Sequence, residues 1–378
     1  MEYKFSELFS WSSGRAVMSN NGIVPIYGSN GIIGFTDVAR YSNKIILGRV
    51  GAYCGSVAYC PNEFNATDNT LITTCDENKI QYYYAFYLLK SFKLNNFAGG
   101  VAQPLITQSI LKHLKCDIPP LPIQRKIASI LSAYDNLIEN NNKRIKLLEQ
   151  MAESLYKEWF VRFRFPGHEN VEMENGLPKG WNRLYIKSLT QLKSGYAFKS
   201  EWFKEDGESV AKIKDIGGIL MDTSDFSYVD KVNCVKAKKF LLVEGDLTIA
   251  LTGATIGKVS IVPRHHGNIY TNQRLGKFFN GNNPIDNLPF LYCLFKNETM
   301  TSNIINLSNS SSAQPNISPE QIENIKIIGN ISVIEVFNKY CRSIFSMILS
   351  LHQQSQLLIR QRDLLLPRLM SGKLEVRP

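Results

Sequence analysis

Two stretches of the chain carry apolar residues at alternating spacings of four and three. The first runs from Ile123 to about Phe160 and contains no glycine or proline. A period of about 3.5 residues is typical of a coiled-coil helix, and a single buried asparagine in such a seam fixes its register. The seam predicted for this helix consists of Ile127, Leu131, Tyr134, Ile138, Asn141, Ile145, Leu148, Ala152, Leu155 and Trp159.

The C-terminal stretch repeats the spacing and predicts a second long helix. Pro367 is expected to end or kink it. An isolated helix of this kind could not bury its apolar face, so the two helices are expected to pack on each other. The second seam is predicted at Val333, Phe337, Tyr340, Ile344, Met347, Leu351, Gln354, Leu358, Gln361 and Leu365.

The sequence ahead of each helix is a copy of the same pattern. Residues 51–57 and 253–259 both read G-A-x-x-G-x-V, at an offset of 202, and an apolar run precedes each of them. A second block repeats at residues 102–107 and 313–318, at an offset of 211. Two ordered motifs at nearly constant offset predict a duplicated domain of about 200 residues rather than a short solenoid repeat. Coincident turn glycines are the alternative interpretation.

The duplicated regions predict β-rich domains. Their apolar runs are short, β-branched and bounded by Gly, Asn and Pro. Thr107 and Ser318 are expected to cap a short helix at the end of each copy, with Pro319 in the first turn. The predicted fold class is α+β: two β-rich domains, each followed by a long helix, with the helices packed as an antiparallel coiled coil of pseudo-two-fold symmetry.

Composition adds a preference for an anionic partner. The formal net charge is +10 and is spread over both halves, so contact with a polyanion would use folded surfaces. The seven cysteines include no C-x-x-C pair and predict free thiols in a reducing cytoplasm. No apolar run is long enough for a membrane span, and MEYKFSELFS lacks the features of a signal peptide.

Several segments, in this order, resemble the specificity subunit family of type I restriction–modification systems. The resemblance covers essentially the whole chain. Gly329-Asn330 departs from it, because a proline-rich connector precedes only the first helix. The segments are PIYGSNGIIG (25–34), LGRVG (47–51), TDNTL (67–71), PPLPIQRKIA (119–128), LPKGW (177–181), SGYAFK (194–199) and LLLPRLMSGKL (364–374).

The resemblance implies a subunit that binds DNA and is not itself an enzyme. Each β-rich domain would read one half of a bipartite site, and the helices would set an unread spacer and dock partner subunits. Two methyltransferase subunits and two restriction/motor subunits are the implied partners, and they would bind S-adenosylmethionine, ATP and magnesium. The implied domains are target-recognition domain 1 (1–120), the central conserved helix (121–165), a linker (166–180), target-recognition domain 2 (181–330) and the C-terminal conserved helix (331–378).

Base readout requires polar side chains on loops or helix edges that can approach the DNA grooves. Candidates common to both halves could instead serve the scaffold, since two different half-sites need different readers. The candidates in the first half are Tyr27, Ser29, Asn30, Arg49 and Gln103. Those in the second half are Tyr196, Lys199, Lys212, Lys214, Thr255, Lys258, Asn272, Arg274, Ser312 and Gln314.

No catalytic or metal-binding motif stands out. Residues 253–259 approach a phosphate-binding loop but lack its first glycine and its final Ser/Thr. His265-His266 has no further ligands at metal spacing. We therefore expect no catalytic residue and no metal in this chain. The alternatives are a nuclease or methyltransferase with a discontinuous site, and a helical scaffold without a role in DNA binding.

Overall fold

A computed structural model describes residues 2–100, 103–308 and 315–376. The chain forms two compact units: unit 1 comprises residues 1–138 and 357–378, and unit 2 comprises residues 139–356. Both divisions fall inside long helices, so each unit contains a globular part and a segment of both helices.

Unit 1 is built on one six-stranded sheet. Its strand order is β2-β7-β5-β6-β3-β4, and β1 pairs separately with β8. Most neighbours are antiparallel, but β3 lies parallel to β6. The elements are β1 Glu2–Lys4, α1 Phe5–Leu8, β2 Phe9–Ser13, β3 Val24–Gly28, β4 Gly31–Thr36, β5 Tyr41–Gly48, β6 Val57–Ala66, β7 Thr70–Cys75, α2 Tyr82–Ser91, a 3-10 turn Leu94–Phe97, α3 Gln108–His113, β8 Lys115–Asp117 and the start of α4 Leu121–Tyr156.

Unit 2 contains two larger sheets, of order β12-β20-β17-β18 and β13-β15-β14-β19-β16, and the two-stranded sheets β10-β9 and β11-β21. Its helices are α5 Leu288–Lys296, α6 Glu298–Ser308, α7 Pro319–Glu323 and the start of α8 Ile331–Met370, with a π-helical turn Lys157–Val161 and 3-10 turns His168–Asn170, Ile186–Ser188, Ser200–Trp202, Ile213–Asp215, Lys231–Phe240, Gly253–Thr255 and Pro284–Asp286. Its strands are β9 Met173–Glu174, β10 Leu177–Pro178, β11 Asn182–Tyr185, β12 Gln191–Ser194, β13 Phe203–Lys204, β14 Glu208–Ala211, β15 Ser227–Val229, β16 Leu241–Leu242, β17 Leu247–Ala250, β18 Val259–Ile261, β19 Ile269–Thr271, β20 Leu275–Phe279 and β21 Lys326–Gly329.

The local signals for helix ends act as expected. Thr107 Oγ1 accepts a hydrogen bond from Ile110 N, and Ser318 Oγ accepts one from Gln321 N with Pro319 at the first helical position. Asn330, which replaces the proline-rich connector, caps α8 by accepting from Val333 N and donates to Gly180 O. Pro367 does not end α8, which continues to Met370, so of the two predicted effects, an end or a kink, the end is wrong.

The long helices run antiparallel. Unit 1 holds the beginning of α4 with the end of α8, and unit 2 holds the end of α4 with the beginning of α8. In unit 1 Leu131 and Leu369 belong to the core cluster of the sheet domain. In unit 2 the rings of Trp159 and Phe337 lie 5.4 Å apart within that unit's core. Each helix segment is therefore an integral part of a domain core.

In both units a tyrosine on a domain helix binds a carboxylate on α4. Tyr87 of α2 donates to Asp135 Oδ2 at 2.6 Å, and Arg362 of α8 pairs with the same carboxylate. Tyr292 of α5 donates to Glu149 Oε1, which also pairs with Lys296 at 3.2 Å. These bonds fix each domain helix to its adjoining segment of α4.

The buried face of α4 follows the predicted spacing. Along this helix Ile127, Leu131, Asn141 and Ile145 are buried and Tyr134, Ile138, Leu148 and Leu155 are half-buried.

The buried face of α8 is wider than predicted and rotated from it. Phe337, Ile344 and Leu351 are buried and Leu358 is half-buried, but Tyr340 is 62% exposed and Met347 is 45% exposed. Their assignment to a buried seam is therefore wrong. The physical reason is that α8 also packs against α5, so its apolar face is centred toward both neighbours: Asn338 accepts from Phe290 N, and the ring of Phe345 lies 5.4 Å from that of Tyr292.

Candidate nucleic-acid interface

The first four strands of the unit 1 sheet have counterparts in unit 2. The order β2-β7-β5-β6 corresponds to β12-β20-β17-β18. The registers also correspond: Leu47↔Val57 in unit 1 matches Ile249↔Val259 in unit 2. The counterpart of β6 is broken at residues 262–268 into β18 and β19, which divides the unit 2 strands between two sheets. The two domains therefore share a four-stranded framework.

The repeated glycine motifs form the same loop in both units. Gly51 and Gly253 both have φ +77°, and Gly55 and Gly257 have φ +87° and +79°. These left-handed conformations favour glycine, which explains its place in both copies. The matching backbone bonds are Gly55 N to Gly48 O and Gly257 N to Ala250 O, both 2.9 Å, and Gly48 N to Ser56 O and Ala250 N to Lys258 O, both 2.9 Å.

The second repeated block lies against the first in each unit. In unit 1 Gly51 N donates to Pro104 O at 3.0 Å, and in unit 2 Gly253 N donates to Pro315 O at 3.1 Å. A second bond closes the pair on the neighbouring residues: Ile106 N to Arg49 O at 2.9 Å and Ile317 N to Leu251 O at 3.0 Å. The two sequence motifs thus build one loop cluster at the end of each framework.

Four candidates of unit 1 surround the loop at residues 67–69. Tyr27 O accepts from Thr67 N, while Ser29 Oγ donates to Asn69 O at 2.7 Å and Arg49 N donates to the same oxygen at 2.9 Å. Asn30 is exposed in the adjoining turn. Burial raises the pKa of Tyr27 to about 12, so its hydroxyl stays protonated.

The polar side chains of the unit 1 loop cluster differ in whether they are hydrogen-bonded within the protein. Gln103 is exposed beside Pro104, which is bonded to the glycine loop. Arg49 is half-buried, and its Nε has no partner among the described residues. The Ser29 hydroxyl, in contrast, is committed to Asn69 within the protein. Arg49 Nε is therefore a buried donor without a bond to any residue that the structure describes, whereas the Ser29 hydroxyl is satisfied within the protein.

Unit 2 brings its candidates together on the equivalent loops. Tyr196 N donates to Thr271 O at 2.9 Å, and Asn272 N donates to Ala211 O at 3.0 Å, directly before Lys212. Arg274 O accepts from Leu251 N, which connects this residue to the glycine loop. That loop contains Thr255, whose buried Oγ1 has no partner among the described residues, and the exposed Lys258. Ser312 and Gln314 lie outside the described residues.

Three lysine candidates are already engaged inside unit 2. Lys199 pairs with Glu201 at 3.7 Å and Lys214 with Asp225 at 2.6 Å. The hydrogen bond that Lys214 Nζ donates to the Asp225 carboxylate raises the pKa of Lys214. The ammonium of Lys212 lies 3.6 Å from the centre of the Phe203 ring, and burial lowers its pKa. A ligand phosphate would have to compete with these partners.

Arg15 is not among the candidate readers predicted from the sequence, although it occupies a position equivalent to one of them. Arg15 N donates to Ala66 O in the same way that Tyr196 N donates to Thr271 O, so the two residues are equivalent. Arg15 is exposed. The sequence contained a signal for it, because Ser13-Gly14-Arg15-Ala16 matches Ser194-Gly195-Tyr196-Ala197 at an offset of 181.

The described part of the chain holds no group of three or more His, Cys, Asp or Glu arranged to bind a metal ion. Within the same residues, no helix combines the length and apolarity that crossing a membrane requires.

The loops at the end of each framework define a class: a protein with two copies of one β-rich domain, each presenting its own set of polar side chains. Residues 1–150 and 178–328 match the type I restriction modification DNA specificity domain. The chain belongs to this family. The resemblance seen in the sequence is thereby confirmed, and with it the assignment to a family of recognition subunits rather than catalytic ones.

Individual relatives support the same assignment. The type I restriction enzyme MjaVIII specificity subunit of Methanocaldococcus jannaschii is 28% identical over 320 residues, covering 82% of this chain and 74% of the relative. The HindI specificity subunit of Haemophilus influenzae is 25% identical over 389 residues, covering 82% of each. The crystal structure of a type I restriction–modification S subunit from M. genitalium has a similar fold, with a TM-score of 0.62, 20% identity, and coverage of 98% of this chain and 96% of that one.

Proposed function

We propose that the protein is the non-catalytic, DNA-sequence-reading subunit of a type I restriction–modification complex. The observation that carries the proposal is the duplicated loop cluster. The framework makes the same backbone hydrogen bonds in both units, yet the side chains on it differ. Arg15 in unit 1 is equivalent to Tyr196 in unit 2, and Ser56 is equivalent to Lys258. Different polar side chains on equal loops are what two unlike half-sites require, since base edges are distinguished by donor and acceptor pattern.

The bipartite site and its spacer follow from the helices in this proposal. Each loop cluster reads one half-site, and α4 and α8 set the unread gap between the half-sites. At about 1.5 Å per residue, α4 with its 36 residues is roughly 54 Å long. Half-sites one helical turn apart, about 34 Å, present the same DNA face.

The exposed apolar side chains of the long helices are the proposed docking surface for two methyltransferase subunits. Large apolar side chains on an exposed face favour protein–protein contact. Two restriction/motor subunits complete the proposed complex, which acts in the cytoplasm. In unit 2 these side chains are Leu147 (63% exposed), Met151 (51%), Val336 (51%), Tyr340 and Met347.

The chemistry belongs to the partners. S-adenosylmethionine, ATP and magnesium would bind there, and the methyltransferases would flip an adenine out of each half-site. This chain selects the DNA sequence and positions the partner subunits on it.

Sequencing of methylated bases tests the proposal. Cells expressing the chain with the methyltransferase subunit of its system should carry methyladenine in a split, asymmetric motif, and cells with the methyltransferase alone should carry none. Substitution of Arg274 and Lys258 by Ala should relax one half of the motif and leave the other half unchanged. A continuous motif, or a change in both halves, would contradict the proposal.

A second experiment addresses the alternatives. The purified chain, incubated with duplex DNA and either magnesium or a methyl donor, should neither cut nor methylate it. Turnover would identify an enzyme. Absence of any sequence preference in binding would identify a scaffold.

A further inference from the structure

The 3-10 helix Lys231–Phe240, named here the lysine helix, carries a strong local charge. It contains four lysines and no acidic residue. All four lysines are exposed, as are Val232 and Val235. The four lysines are Lys231, Lys236, Lys238 and Lys239.

The lysine helix is fixed beside the candidate nucleic-acid interface of unit 2. Its inner residues Cys234, Ala237 and Phe240 are buried in one cluster with Phe198 and Tyr196. The Tyr196 and Phe240 rings lie 6.3 Å apart. Phe240 O also accepts a hydrogen bond from Thr271 Oγ1, directly before the candidate reader Asn272. The lysines therefore border the loops proposed to read DNA.

The charge of this helix is not neutralised within the protein. Residues 197–245 carry eight basic and nine acidic side chains, so the segment as a whole is nearly neutral. Three of its nine acids pair with other lysines: Glu201 with Lys199, Asp225 with Lys214 and Asp230 with Lys204. None of the four lysines of the lysine helix forms an ion pair with another described residue. The four ammonium groups of the lysine helix are therefore available to an anionic ligand.

Unit 1 has no equivalent. The corresponding segment, residues 16–43, contains only two charged side chains, Asp37 and Arg40. The lysine helix is therefore an addition to the shared framework and not part of it.

We infer that the lysine helix grips the sugar–phosphate backbone beside the second half-site, without reading bases. The inference rests on the proposed function and extends it: one of the two domains supplies an additional, sequence-independent part of the affinity. Lysine ammonium groups contact phosphates as point charges, and such contacts position a protein on DNA without distinguishing sequence.

The dependence of binding on salt is the decisive measurement. Each phosphate contact contributes about 0.9 to the slope of log affinity against log salt. The full chain is titrated with a duplex carrying the motif found by methylated-base sequencing, and with a duplex in which the motif is scrambled, over a range of salt concentrations. The variant replaces Lys236, Lys238 and Lys239 together by Gln.

The triple variant should lose roughly 2 to 3 from the magnitude of the slope on both duplexes, in keeping with three phosphate contacts. The ratio of affinities for the two duplexes and the methylated motif should stay the same. A single Lys238→Gln variant should lose about 0.9 at most. The matched control replaces three other lysines of unit 2, Lys187, Lys326 and Lys339, which are exposed and lie beside the start of α8, and should keep the wild-type slope.

An unchanged slope in the triple variant would overturn the inference, and so would an altered motif, because the lysines would then read bases. Failure of the wild-type chain to prefer the motif would instead contradict the proposed function. Far-ultraviolet circular dichroism distinguishes either result from misfolding, and the exposed position of the lysines favours a folded variant.

Discussion

The two domains of this protein carry different segments at the same place in their shared framework. Both insert a segment at the same place, between the strand pairs β2/β5 and β12/β17, and both return it to the framework through one parallel pairing, Tyr27↔Ala66 in unit 1 and Ala211↔Thr271 in unit 2. In unit 1 the segment is a hairpin with exposed Ile32, Ile33 and Phe35. In unit 2 it is longer, carries 17 charged side chains and forms much of a second sheet.

This fold tolerates change in the segment inserted between the first and second strands of its shared framework in chain order. The shared bonds hold the glycine loops, and the variable segment lies beside those loops. Variation there can alter what is recognised while the bonds that position the loops are kept. This agrees with the general observation that loops on a rigid scaffold carry function.

The core of unit 2 contains a buried ion pair at a position where unit 1 is apolar. Lys277 pairs with Asp246 at 2.6 Å, and the equivalent of Lys277 in unit 1 is the buried Ile72. Lys277→Met should destabilise unit 2 by about 3 to 5 kcal/mol, because Asp246 would keep a buried and unpaired charge. Chemical denaturation of the full chain measures the loss.

The control for this prediction is the double variant Asp246→Leu with Lys277→Met, which should recover most of the stability. Ile72→Val in unit 1 should cost only about 0.5 to 1.5 kcal/mol. A loss below 1 kcal/mol for Lys277→Met would show that the pair is not buried in the folded protein.

Asp215 should make the stability of unit 2 depend on pH. Burial raises its pKa to about 6, against about 3.9 in an unfolded chain. Between these values the folded state binds the proton and the unfolded state does not, so the contribution of Asp215 is largest below pH 4 and is lost as pH rises to about 6. The loss is up to about 3 kcal/mol.

Denaturation at a series of pH values measures this effect. Asp215→Asn should flatten the profile between pH 4 and 6, while its amide oxygen can still accept the bond from Lys212 N. If stability changed with pH by the same amount in the wild type and in the variant, another group would cause the pH dependence.

Glycines at the start of the two variable segments should behave alike. A Cβ on Gly14 would lie 2.1 Å from Thr67 O, and one on Gly195 would lie 2.3 Å from Thr271 O. Alanine at either position must push the loops apart, at a cost of about 1 to 3 kcal/mol, and should weaken recognition of one half-site only.

Gly99→Ala and Gly217→Ala are the matched controls, since a Cβ at either position meets no atom within 4 Å. Both should be nearly neutral in thermal unfolding. If alanine at Gly99 or Gly217 lowered stability as much as alanine at Gly14 or Gly195, close approach of the backbone would not be the cause.

The apolar period and the repeated motifs were sufficient to predict both long helices, the duplication and the helix caps at Thr107 and Ser318. These properties are local, since a helical period, a capping hydroxyl and a left-handed glycine act within a few residues. Several of the described candidates also lie on connected loops, because the motifs that contain them are joined by backbone hydrogen bonds: Tyr27, Ser29 and Arg49 in unit 1, and Tyr196, Asn272 and Arg274 in unit 2.

Other properties were decided by packing between distant segments. The sequence placed Tyr340 and Met347 in a buried seam, but contact of α8 with α5 as well as α4 turned a different face inward. The partner of Lys214 also comes from the fold of the inserted segment, since Asp225 lies 11 residues further along the chain, and such pairs determine which lysines are free. The identity of the long helices and of the repeated loops could thus be predicted from the chain, because their causes are local. The faces and charges that remain exposed could not, because they depend on the neighbours that each element contacts in the folded protein.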